Sequence, residues 1–112
     1  MIIYNVTIQV SWPIHDNWLK WMKEQHIPEV METGLFTDYL IVKLLEADET
    51  TGPTYAVQYH AANLADYNQY IKNFSQLLRQ KVTDMWGEKL TAFRTVMEVV
   101  HCLWIIFFFT LG

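Results

Sequence analysis

Five polar side chains fall where strand-like stretches of this sequence would bring them together: Asn5, Gln58, His60, Arg94 and Glu98. A histidine beside an arginine and an amide can move a proton next to a stabilised anion. A permanently charged Arg94 disfavours the cationic form of His60, which would then serve as a neutral base. His60 and Arg94 are therefore the expected catalytic pair, with Asn5, Gln58 and Glu98 as ligand-binding support. The plainer alternative is a set of polar residues that satisfy one another at a dimer interface.

A second group, His26, Glu29 and Glu32, flanks Pro28. Histidine with nearby carboxylates can hold a metal or shuttle a proton. Equally, His26 can cap a helix end, and the glutamates suit the first turn after Pro28, where the helix dipole favours them. The usual ligand spacings are absent, so no metal is expected, and nothing specifies a cofactor. There is no phosphate loop, nucleophile elbow or haem motif. Tyr4, Tyr55 and Tyr59 loosely resemble the strand aromatics of an RNA-recognition motif, but strand parity puts Tyr4 under the helices. Core packing is their expected role. Trp12, Trp18, Trp21 and Trp86 would line a pocket or, at helical spacing, pack a core or interface.

These residues need elements to position them. Residues 2–10 alternate, with Ile2, Tyr4, Val6, Ile8 and Val10 on one side and Ile3, Asn5, Thr7 and Gln9 on the other. That is a half-buried strand. Ser11 and Pro13 mark a helix start. Trp18, Leu19, Trp21, Met22 and His26 then follow helical spacing, and Pro28 predicts a break near Ile27. A short turn ends at Gly34. Residues 35–45 and 54–60 read as two strands of a long hairpin, joined through Thr50-Thr51-Gly52. Asn63 caps a helix that runs to Gly87, and the last strand covers Leu90 to Val100. In that strand Phe93, Met97 and Val99 are expected toward one face, Arg94 and Glu98 toward the other. Strand 2 carries apolar residues on both faces, so Asp38 and Tyr39 both remain open as its contribution to the polar face.

The order β-α-β-β-α-β predicts one α+β ferredoxin-like domain over residues 1–100. Its antiparallel sheet has strand order 4-1-3-2 and both helices on one face. The other face mixes polar and apolar groups and calls for a second copy, which predicts a homodimer.

Composition agrees with a single packed domain. The chain has 112 residues, is 52% hydrophobic and 15% aromatic, and carries a formal net charge of −4. Disorder needs the opposite balance, and nucleic-acid binding usually needs a basic footprint. Neither is expected. The one cysteine, Cys102, excludes an internal disulfide and fits a reducing compartment. The N-terminus lacks the basic and small-residue features of a signal peptide. Residues 101–112 form a hydrophobic tail, shorter than the ~20 residues a membrane helix needs. A cytoplasmic protein without a membrane span is expected.

Four stretches carry a family resemblance: MIIYNVT at 1–7, HIPEVMETGLFTDY at 26–39, TYAVQY at 54–59 and FRTVMEVV at 93–100. Together they resemble a bacterial family, common in Bacteroidota, known as domain of unknown function 4286. The resemblance covers residues 1–100, and the tail departs from it. It implies a short cytoplasmic protein of the dimeric α/β-barrel type with no defined catalytic residues. The leading expectation is a homodimer that binds a small organic molecule between its two sheets, with the site on the open face, away from the helices. The alternatives are a cofactor-free enzyme of monooxygenase or isomerase type using His60 and Arg94, and a non-catalytic interaction module.

Overall fold

The computed structural model describes residues 1–103 and shows the expected β-α-β-β-α-β order. Most of the expected tail lies outside the described residues. Strand β1 (Ile2–Val10) keeps its alternation, with Ile2, Tyr4, Ile8 and Val10 all buried. After a 3-10 turn at Trp12–Ile14, helix α1 (His15–Trp21) begins.

The break expected near Ile27 does not occur. Helix α1 passes through a π turn, Met22–His26, directly into α2 (Ile27–Glu32). Pro28 has no N–H for a regular α turn, and its ring would strike the carbonyl four residues back. Widening the preceding turn, so that the Ile27 N–H reaches the Met22 carbonyl, lets the helix continue. Gly34, at φ +75°, then turns the chain as expected.

Strand β2 is shorter than its hydrophobic run, spanning only Asp38–Lys43. Phe36 precedes it and packs into the core, 4.8 Å from Tyr70 and 5.3 Å from Tyr59 between ring centroids. Strand β3 (Thr54–Ala61) follows the hairpin. That hairpin lies hard against the end of β1, where a Cβ on Gly52 would sit 1.7 Å from the Val10 carbonyl oxygen.

The second helical stretch is two helices rather than one, α3 (Leu64–Asn73) and α4 (Ser75–Trp86). Asn63 caps α3 as expected, its Oδ1 accepting from the Asp66 N–H at 2.9 Å. At Phe74 the backbone opens, and the Ser75 hydroxyl donates to the Ile71 carbonyl at 2.9 Å. Such a side-chain bond competes with the helix ladder and bends it. Strand β4 is Leu90–Glu98, two residues shorter than expected.

The sheet order is β2-β3-β1-β4, the expected order read from the other edge, and every pairing is antiparallel. Trp18, Met22, Ile27, Val30, Tyr70 and Leu78 from the helices meet the buried face of the sheet in one core. This is a ferredoxin-like α+β fold. Among the described residues, no helix is long and apolar enough to cross a membrane.

Candidate functional site

Directly opposed residues in antiparallel strands share a face. Asn5 pairs with Gln58, and Ile3 pairs with His60, so Asn5, Gln58 and His60 stand together on the open face. Asp38 pairs with His60, which settles the face of β2: Asp38, Leu40 and Val42 face outward, Tyr39 and Ile41 inward. Asp38 Oδ2 lies 3.5 Å from His60 Nδ1.

Arg94 and Glu98 are not with them. Arg94 pairs with Val6 and Glu98 with Ile2, so both belong to the helix side. The expected His60–Arg94 pair is therefore separated by the sheet itself. The reason lies in β4, an edge strand whose residues are exposed from Thr91 to Glu98. Phe93 and Met97 were expected inward for their hydrophobicity. They face outward and are exposed. On an edge strand accessible from both sides, hydrophobicity does not report the face.

On the helix side, Arg94 joins residues the open-face reading leaves out. Tyr4 is buried, and its hydroxyl accepts from Arg94 Nε at 3.0 Å and from Arg79 Nη2 at 3.2 Å. Strand β1 supplies the phenol, β4 one guanidinium and α4 the other. Around them is an aromatic cluster in which Tyr59, Tyr67, Tyr70 and Phe36 all lie 5.7–6.2 Å from the Tyr4 ring. Tyr4, Tyr59, Tyr70 and the two arginines border a cavity of about 40 Å³ between sheet and helices, which His26 and Trp18 also line. That is room for a few water-sized groups. Both arginines are exposed, so they stand at its opening.

The π turn brings His26 to this cavity, with its ring stacked on Trp21 at 5.0 Å. Burial lowers its pKa to about 4; Glu29 opposes that fall, while Arg94 and Lys81 add to it. At neutral pH it is an uncharged imidazole. Burial also raises the Tyr59 and Tyr70 hydroxyls, which stay protonated. Trp18 is fully buried, and its indole N–H meets no acceptor among the described residues.

His26 does not gather with Glu29 and Glu32 as a metal site would require. Glu29 pairs instead with Lys81 at 2.7 Å, and no three potential ligands cluster among the described residues. Tyr4, Tyr55 and Tyr59 are buried core residues, as expected. Sequence reasoning missed the meeting of Tyr4, Arg79 and His26. One signal was present: a tyrosine on the buried face of β1 needs a polar partner for its hydroxyl.

A wider depression of about 300 Å³ lies on the open face, between Phe93 and the hairpin residues Ala47 and Asp48. It is at the far end of the sheet from His60. Its polar groups are partly committed, since Asp48 Oδ1 accepts from the Thr50 N–H and hydroxyl at 2.9 and 2.6 Å.

Residues 1–100 match the profile of one family. The chain belongs to the family described as domain of unknown function DUF4286. No curated protein matches it. Among solved structures it is similar to a Deinococcus radiodurans protein provisionally described as an antibiotic biosynthesis monooxygenase. That likeness has a TM-score of 0.63 and 14% identity, over 92% of this chain and 96% of the other. An ethyl tert-butyl ether d (ethd) family protein from Bacillus halodurans gives 0.63 and 11%, over 89% and 100%. A protein from an uncultured marine organism, described as a dimeric ferredoxin-like protein, gives 0.57 and 11%, over 91% and 97%. At these identities the likeness is one of fold alone.

Proposed function

We propose that the chain works as a homodimer closed across its open sheet faces, and that each copy binds a small organic molecule in the cleft around Tyr4. The observation that carries the binding is Tyr4 itself, a buried phenol clamped by two guanidiniums at the opening of a largely apolar cavity. An apolar lining with a few convergent polar groups is the usual make-up of small-molecule sites; with about 40 Å³ enclosed, against the ~300–1,000 Å³ of such sites, this one takes one end of a molecule rather than the whole. The dimer rests on the open face. Leu40, Val42, Phe93 and Met97 are exposed along its two edges, while Asn5 in its centre is buried with a side-chain oxygen that has no partner among the described residues. One fold relative is described as dimeric, in keeping with this.

One observation favours a second reading, a cofactor-free enzyme. A neutral histidine and an arginine do share a cavity, but the histidine is His26, not His60. His60 then belongs to the dimer interface, paired with Asp38. A monooxygenase description attached to one fold relative agrees with this reading at the level of fold alone.

Native mass spectrometry of protein purified from its own host tests both parts. The expected species is a dimer that carries retained small-molecule mass. A chain that stays monomeric at tens of micromolar overturns the barrel. A dimer that never retains a ligand, and binds none from a fragment library, leaves an interaction module.

A further inference from the structure

The cleft's polar groups can be sorted by what they offer. Arg79 and Arg94 are donors only. Among the described residues, neither has a carboxylate within ion-pairing distance, and no Asp or Glu lines the cavity. The Tyr4 oxygen already accepts from both arginines, so its own proton is what it has left to offer. The buried Trp18 indole, which can only donate, has no acceptor among the described residues. Buried donors are nearly always paired, so an orphan of this kind marks a missing acceptor.

We infer that the cleft takes an organic oxyanion, a carboxylate or an enolate, with Arg79 and Arg94 as its cationic clamp and Tyr4 and Trp18 as neutral donors. This rests on the reading that the cleft binds a small molecule, and it names the class of that molecule. The aliphatic and aromatic walls, with Val57, Val82 and Leu90 among them, suit the apolar part of such an anion. Two positive charges without a counter-ion repel one another, and a bound anion removes that repulsion. Charge-assisted bonds from guanidinium to carboxylate are also the stronger kind, and the planar fork matches both carboxylate oxygens.

The test pairs anions with neutral isosteres: acetate against acetamide, and benzoate against benzamide. Each is titrated into the full chain and followed by the indole N–H signals in nitrogen-15 NMR and by calorimetry. The anions are expected to move the Trp18 signal and to bind at least about tenfold more tightly than their amides. Arg79→Gln and Arg94→Gln should each weaken the anions by about tenfold or more and leave the amides unchanged. Thermal melts confirm that the variants fold. If amides and anions bind alike at Trp18, the oxyanion class is wrong while the binding cleft stands. If none of the four probes perturbs Trp18 or Tyr4, both the class and the cleft fall together.

Discussion

The two faces of this one sheet follow different rules. On the helix side, Tyr4, Tyr59, Val57 and Trp18 are buried within one chain, and every polar group among them is costly unless paired. On the open side, the centre is shielded by its own neighbours, while Phe93 is 63% exposed and Leu40 43% exposed. The helix side is finished by intramolecular packing except at its cavity. The open side leaves large apolar side chains uncovered. On the proposed reading a polar residue therefore means different things on the two faces: a ligand partner on the first, an interface contact on the second.

The largest expected effect breaks this comparison directly. Trp18→Ala should lose about 3–5 kcal/mol in chemical denaturation, with no dependence on protein concentration, because its cavity opens inside one chain. Phe93→Ala should shift the midpoint by an amount that grows as the protein is concentrated, because the residue is buried only in the proposed dimer. A Phe93 variant that is neutral at every concentration would show that the open face stays open.

The next effect sharpens the helix side. His26 titrates near 6.5 in the unfolded chain and near 4 in the folded one. Between those values the unfolded state binds a proton that the folded state refuses. Stability therefore falls as pH drops from about 6.5 to about 4, and above 6.5 the group contributes no pH dependence. The full loss amounts to about 3 kcal/mol. His26→Gln keeps a polar side chain and removes this titration. Urea midpoints at pH 7 and pH 4.5 should converge more in the variant than in wild type. Equal pH slopes would mean that His26 is not held neutral. An oxyanion bound beside Arg94 would raise the folded value again, so benzoate should protect wild type more at pH 4.5 than at pH 7.

What the sequence made readable follows from where each signal is strong. Strand β1 pairs on both sides and is buried on one face, so its alternation reports the sheet directly. Asn63 and Gly87 announce helix ends through local chemistry that tertiary structure rarely overrides. Strand β4 failed because an edge strand has no strongly buried face, and a one-residue error in parity moves Arg94 across the sheet. The π turn failed for another reason. Pro28 reads as a helix breaker, and only the packing of Met22, Ile27 and Val30 against the core shows why the chain keeps a helix and widens it instead. Those two misses hid the cleft, since one carries Arg94 into it and the other His26.

The smallest effect is the most exacting test of the two-face picture. His60 and Arg94, read together from the sequence, should be energetically independent. His60 pairs with Ile3 and Arg94 with Val6, on opposite faces and three positions apart along β1. With β1 lying between their strands, the two backbones are more than about 10 Å apart. Sites so separated, with no shared partner, add within about 0.3–0.5 kcal/mol. A double-mutant cycle on His60→Ala and Arg94→Ala should therefore close within that margin in urea denaturation. The cycle on Arg79→Ala and Arg94→Ala should not close, because both arginines donate to the Tyr4 hydroxyl. Removing one leaves the other to hold the phenol, so the second loss exceeds the first, with a coupling of about 0.5 kcal/mol or more. If the His60–Arg94 cycle shows the coupling and the arginine cycle does not, the register of β4 is shifted by one residue. The site then returns to the open face.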